Sequence, residues 1–253
     1  MRVAVITPYH REPSSLLEQC HESVDQQALD AGDSCVHVLV ADGHASEAVA
    51  SFAAEHIVLP RENSDNGNTP RAMGSLYAAG QGFDAIAYLD ADNWYQPSHI
   101  ASLLEAHRKT GAPVCASGRI FHRPDGSRLP ISEPEDGQNH CDTSCFLVTQ
   151  AAYRLVAVWG LMPRVLSPLC DRFFFQAMRA WKYAFHYTGQ PTLAFRTRYA
   201  AHYVAAGERP PDDAKVNPAA ESIQAWHALT EREQEDYYKR LGFRFSLSGR
   251  RKG

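Results

Sequence analysis

Four short apolar runs constrain this chain more than any other feature: Val3 to Thr7, Val36 to Val40, His56 to Leu59 and Ala85 to Leu89. Each is too short for a buried helix and lacks polar alternation, as expected of strands covered on both faces of a parallel sheet. Segments with helical spacing lie between them. Leu16, Leu17, Cys20 and Val24 fall on one helical face, and Ser46 to Ala54 reads as helical. Thr69-Pro70 reads as a helix start, with threonine as cap and proline at the first helical position. Pro97 opens a helix whose Ile100, Leu103, Leu104 and His107 share a face. The β-α-β-α rhythm predicts an α/β fold: a mostly parallel sheet flanked by helices on both faces.

After Pro113 the rhythm changes. Val114 to Phe121, a Pro124-Asp125-Gly126 turn and Arg128 to Ile131 suggest a hairpin. Asp136 to Asp142 reads as a polar loop, and Ser144 to Val148 as a strand. Asp171 to Trp181 reads as a helix with Phe173, Phe174, Ala177, Met178 and Trp181 inward. Tyr183 to Tyr187 and Thr192 to Tyr199 are strand candidates, Ala205 to Pro218 a Pro- and Asp-rich loop, and Pro218 to Arg240 a final helix. The expected organisation is one domain in two parts, 1–113 binding a nucleotide and 114–243 binding an acceptor, followed by a basic tail, 244–253. That tail reads either as solvated or as a peripheral contact with a membrane surface or a partner.

Among 253 residues the net charge is -4, so no global field draws the chain to nucleic acid. No apolar run approaches the roughly 20 residues of a membrane helix. Met1 to Thr7 is too short before Pro8 for a signal peptide and reads as an immediate first strand. The six cysteines form no CxxC pair, which favours reduced thiols in a cytoplasmic protein over a zinc site.

Open α/β sheets bind ligands outside the carboxyl ends of their strands. Three polar signals stand at such ends here: Thr7-Pro8-Tyr9-His10-Arg11, Asp42-Gly43 and Asp90-Ala91-Asp92-Asn93. Two carboxylates two residues apart at a strand end suit Mg²⁺ or Mn²⁺, which also bind a diphosphate; a capped turn would read the same way. Asp42 can accept a hydrogen bond from a pyrimidine N–H, or can simply open a turn. Arg71, in the first turn of its helix, is placed for diphosphate oxygens or for the surface. Trp94 and Tyr95 read as stacking groups for sugar or acceptor, or as core.

In order along residues 3 to 203, these segments resemble the family 2 glycosyltransferases, of the GT-A, Rossmann-like fold. Val3 to Tyr9 resembles their opening strand and nucleotide loop, and Val40-Ala41-Asp42-Gly43 their base-binding V-D-D-G. Asn66-Gly67 with Arg71 and Gly74 resembles their N-x-G…R-N-x-G, and Leu89-Asp90-Ala91-Asp92-Asn93 their metal motif. The resemblance implies a nucleotide-sugar site formed by Thr7, Pro8, Tyr9, Arg11, Asp42, Asn66, Arg71, Asp90 and Ala91. It implies a metal, Mn²⁺ or Mg²⁺, on Asp92 with His202 of an Arg198…His202 element, and Asp171 as catalytic base. Ala41, Asn93 and Cys170 depart from the pattern, Cys170 standing where a glutamate normally precedes the base; Asp142 is the next candidate base.

The implied reaction is inverting transfer of a sugar from a nucleoside diphosphate, UDP favoured over GDP or dTDP, to a hydroxyl-bearing acceptor. A sugar-1-phosphate nucleotidyltransferase would need a Gly-rich phosphate loop after the first strand, and Thr7 to His10 has no glycine. A DxD phosphatase would have Thr or Val where Trp94 stands. A non-catalytic nucleotide- or carbohydrate-binding protein is the remaining alternative. The Ala205 to Pro218 loop is expected to order over the donor as a lid.

Overall fold

The computed structural model describes residues 1–131 and 140–247. β1 (Arg2–Tyr9) is buried from Val3 onward because its apolar residues are covered on both faces. α1 (Ser14–Asp25) follows, then β2 (Ser34–Ala41), β3 (Glu55–Val58), α2 (Asn68–Gly80), β4 (Ala85–Tyr88), β5 (Trp94–Tyr95) and α3 (His99–Thr110). The second part runs β6 (Val114–His122), β7 (Phe146–Thr149), α4 (Ala157–Leu161), α5 (Cys170–Ala180), β8 (Phe185–Arg196), α6 (Ala200–Ala205), α7 (Ala219–His227) and α8 (Glu231–Leu241). No helix among the described residues is long and apolar enough to cross a membrane.

All strands join one eight-stranded sheet in the order β3-β2-β1-β4-β7-β6-β8-β5. The pairings β3-β2, β2-β1, β1-β4 and β6-β8 are parallel; β4-β7, β7-β6 and β8-β5 are antiparallel. The chain moves from β1 outward to β3, then crosses back to lay β4 on the other side of β1. The crevice between the ends of β1 and β4 is therefore a topological switch point, where such sheets bind ligands.

Successive side chains on β1 point to opposite faces. Thr7 touches Cys20 of α1. Ile6 faces α2, where a Cβ on Gly74 would lie 2.7 Å from Ile6 and 2.9 Å from Val40. Helices therefore cover both faces, and α2 seats closely because position 74 has no side chain. Behind the crevice, Trp159 stacks on Phe174 at 4.4 Å and meets Tyr88 edge-on at 5.3 Å, giving the site a rigid aromatic backing.

Several local expectations need correction. Ser46 to Ala54 yields only a 3-10 turn, Glu47–Ser51, which buries Val49 alone before Phe52 turns extended. Thr69 does not cap α2: the helix begins at Asn68, with Gly67 left-handed before it. Asp65 does the capping, accepting from the Thr69 N–H and hydroxyl. The hairpin after β6 shrinks to one bridge, His122 to Arg128, because Pro130 has no N–H to extend a ladder. Tyr183 to Tyr187 and Thr192 to Tyr199 merge into β8, and β7 starts only at Phe146, after a 3-10 turn at Thr143–Cys145. The final helix is two helices, since Thr230 and Glu233 form a capping box that starts α8. Of the polar loop, 136–139 lie outside the described residues, as does 248–253 of the basic tail. None of the six cysteines forms a disulfide.

Candidate active site

The ends of β1, β2 and β4 open into one cleft of about 860 Å³ whose far wall comes from residues after β6. Pro8, Tyr9, Asp42, Asn66, Arg71, Asp90, Ala91, Asp92, Asp142, Asp171 and His202 all line it. In-register parallel pairing of β2, β1 and β4 carries residues far apart in sequence to this one edge.

Asp42 is buried and organises the loop opposite it. One oxygen accepts from the Asn63 N–H at 3.0 Å and from its amide at 2.7 Å; the other accepts from the Ser64 N–H at 3.1 Å. Lone-pair capacity remains for one further donor from a ligand. Tyr9 lines the same side, its hydroxyl tied to His56 Nε2 at 2.7 Å and accepting from Ser46 N–H at 3.0 Å.

At the centre, buried Arg71 donates to Asp90 Oδ1 at 2.5 Å and to the Asn66 carbonyl at 2.7 Å. Asn66 holds a left-handed backbone, φ 56°, which aims that carbonyl at the guanidinium. Burial works against the Arg71 charge, but Asp90 more than compensates and its pKa is raised. Arg71 Nε is buried without a partner among the described residues.

Asp92 differs from Asp90: among the described residues no other residue's hydrogen bond and no ion pair holds its side chain, which meets only its own backbone N–H. Protein atoms crowding it, then Asp90 and Glu12, push its carboxyl up, against a smaller opposing pull from Arg196. Its surface is nonetheless exposed to cleft water, which tempers the desolvation. Arg196 lines the cleft with buried Nε and Nη1 that find no partner among the described residues, while its Nη2 donates to Gln19 at 2.6 Å.

On the opposite wall, Asp171 sits in the first turn of α5 and pairs with His140 Nε2. Burial would raise its pKa. Attraction and hydrogen bonding from His140, with the Arg172 N–H and charge, more than reverse that, so Asp171 is held below the ordinary carboxylate range. Asp142 takes another role. It caps the Thr143–Cys145 turn and meets Arg119 at 3.3 Å, yet burial and the neighbouring Asp90 and Asp171 raise its pKa despite Arg119. Cys170, pushed up to about 12 by burial, remains a neutral thiol. His202 Nδ1 meets Thr197 Oγ1 at 2.6 Å, and burial with the nearby Arg119 and His140 lowers its pKa to about 4, so the ring is neutral. Which atom donates in that contact depends on the tautomer; in the one that donates from Nδ1 to Thr197, Nε2 presents a lone pair.

Two expected nucleotide contacts lie elsewhere. Thr7 is fully buried and its hydroxyl meets His37 Nε2 at 2.8 Å, because strand alternation turns it away from Pro8 and the cleft. Arg11 is exposed on the rim and does not line the cleft; it donates to His44 Nε2 at 2.9 Å. Neither Trp94 nor Tyr95 lines it: Tyr95 is core, its hydroxyl donating to the Tyr88 carbonyl, and Arg196 lies over Trp94. Within the 205–218 loop, Ala205, Lys215, Asn217 and Pro218 border the cleft. Lys215 N–H donates to the Arg198 carbonyl at 2.7 Å, stitching the loop to the segment before α6.

Sequence reading missed His140, Arg119, Glu12 and Arg196. Arg119 and Arg196 carried a faint signal, a charge inside a run that otherwise reads as strand. His140 carried none, since its partner is 31 residues away.

A family model described as Glycosyl transferase family 2 matches residues 4–155. No curated protein matches the sequence. Among solved structures, the fold is similar to that of S. aureus TarS 1-349 in complex with UDP, at 11% identity and a TM-score of 0.58, covering 94% of this chain and 78% of that one. TarS 1-349 in complex with UDP-GlcNAc is similar at 12% identity and a TM-score of 0.59, covering 95% and 71%. At such identities the likeness is one of fold, here that of GT-A glycosyltransferases.

Proposed function

This chain belongs to the family 2 glycosyl transferases and is a glycosyltransferase, and from that premise we propose that it moves a sugar from a nucleoside diphosphate, UDP favoured, to a hydroxyl acceptor with inversion. The observation that carries this reading is the convergence of Asp42, Arg71, Asp92 and Asp171 on one cleft at the switch point. The UDP and UDP-GlcNAc named in the TarS complexes support the choice of nucleotide.

In this reading Asp42 takes the base and the Asp90–Arg71 pair marks the ribose and diphosphate. The unpartnered nitrogens of Arg196 and Arg71 Nε supply donors for phosphate or sugar oxygens. Asp171, ionised at neutral pH, takes the proton of the acceptor hydroxyl as its oxygen attacks the anomeric carbon, and the diphosphate departs from the opposite face. His140 holds the carboxylate in orientation. The acceptor is assigned to the side built by 114–243.

Asp92 and His202 fit a divalent cation, Mn²⁺ or Mg²⁺: one is a carboxylate with no cationic partner beside two other carboxylates, the other a neutral imidazole. Few protein ligands plus substrate phosphates are usual for Mg²⁺. When bound, such an ion neutralises charge on the leaving diphosphate.

A thermal-shift panel of nucleotide-sugars, with and without Mn²⁺, tests the donor. A true donor at about 100-fold its Kd adds about 2.7 kcal/mol of stability. A panel in which UDP-, GDP- and dTDP-sugars all leave the midpoint unmoved contradicts the reading.

A further inference from the structure

The loops after β1 and β2 and the loop before α2 bring His10, His44 and Glu62 together on the rim above Asp42. We propose that these three side chains form a zinc site, separate from the cleft's own metal position and open at one coordination position. Their ligand atoms all lie within 4.8 Å of one another, the one such trio of His, Cys, Asp or Glu among the described residues. Glu62 Oε2 is 3.2 Å from His10 Nε2 and 3.3 Å from His44 Nε2. Tetrahedral zinc, about 2.0–2.1 Å from each ligand, sets neighbouring ligand atoms about 3.3–3.4 Å apart. Two edges of the site therefore already have their length without an ion.

Three further features point to an ion. His10 Nε2 is shielded from solvent and, at 3.2 Å from Glu62 Oε2, makes no well-aligned hydrogen bond, so a ligand atom is held out of water facing only the carboxylate it would share an ion with. Ser64 Oγ donates to Glu62 Oε1 at 2.5 Å, fixing the carboxylate and leaving Oε2 for the ion, as outer-shell donors do in metal sites. The turn carrying His44 is pressed onto Glu62 by Gly43: with φ at 82°, a Cβ there would lie 2.5 Å from the Glu62 nitrogen. Two imidazoles and one carboxylate are a zinc donor set and a poor one for Mg²⁺.

Arg11 opposes binding. It donates to His44 Nε2 at 2.9 Å, using the lone pair the ion needs. It is exposed and has no other hydrogen bond among the described residues, so it can swing away. A bound ion would lock the His10 and His44 loops to the Glu62-Asn63-Ser64 segment that Asp42 holds.

The test is isothermal titration of the EDTA-stripped full chain with Zn²⁺, repeated with Co²⁺ to read its visible spectrum. Wild type and Asp92→Ala should each bind one equivalent at this site. His44→Ala and Glu62→Gln, both exposed positions, should bind at least about ten-fold more weakly with unchanged unfolding midpoints of the metal-free protein. Arg11→Ala should bind as tightly or more tightly. Absence of stoichiometric zinc, unchanged affinity in His44→Ala and Glu62→Gln, or loss in Asp92→Ala alone would overturn the proposal. None of these readouts depends on sugar transfer, so failure here leaves the glycosyltransferase reading standing, and the converse.

Discussion

Replacing Asp171 by asparagine separates catalysis from capping. Asp171 lies in the first turn of α5, where its charge interacts with the helix dipole, worth about 0.3–1 kcal/mol. Asparagine keeps the side chain's size and an oxygen for the Arg172 N–H, so the fold should survive. It cannot take a proton, and loss of a general base costs about 10²–10⁴ in turnover, roughly 2.7–5.5 kcal/mol of barrier. The catalytic effect thus exceeds the structural one several-fold. The assay is single-turnover transfer to acceptor, with donor affinity measured in parallel; affinity should hold while transfer collapses. His140 supplies a second arm. It is a principal cause of the depressed Asp171 pKa, so His140→Gln should let that pKa rise and move the acid limb of the rate profile to higher pH, with rate at pH 8 largely kept. Transfer by Asp171→Asn within a few-fold of wild type would refute the base assignment and turn attention to Asp142. A His140→Gln variant as dead as Asp171→Asn at every pH would make the histidine the base.

Three further outcomes are expected. His37 and His99 are buried and neutral, each lowered to about 3 chiefly by burial. Since these values lie below the unfolded 6.5, stability is full above pH 6.5 and falls as pH drops toward 3, by about 2 kcal/mol per histidine at pH 5; equal urea midpoints at pH 7 and pH 5 would contradict this. Gly74→Ala should cost about 1–3 kcal/mol through overpacking against Ile6 and Val40, read by denaturant melts, and a neutral result would mean α2 shifts freely. If 205–218 is a lid, donor should slow its cleavage by protease, whereas unchanged cleavage would leave it a passive border.

Much of the nucleotide half was legible because strand and helix periods are local. Apolar runs at β1, β2 and β4 fixed the expected strand ends, and parallel pairing in register did the rest. Thr7 shows the limit of that logic: a period of two turns it into the α1 face, and it sits two residues short of the strand's end, below the edge where Pro8 and Tyr9 reach the cleft. Arg11 lies two residues beyond the strand, where loop geometry rather than periodicity decides direction. The acceptor side was less readable. His140 and Asp171, and Arg119 and Asp142, meet only through tertiary packing, so no spacing announces them. The division at Pro113 marks a change of rhythm, yet β6, β7 and β8 extend the sheet begun by β1 to β4.

The central claim is that the crevice between β1 and β4 is the donor site, with Asp92 in contact with the metal. Isothermal titration of UDP in saturating Mn²⁺, comparing wild type with Asp92→Ala, tests it most directly. One equivalent of UDP should bind wild type, with affinity lost when Mn²⁺ is withheld or Asp92 is removed and the unfolding midpoint unchanged. UDP binding of equal strength in both proteins, with or without Mn²⁺, would contradict the account.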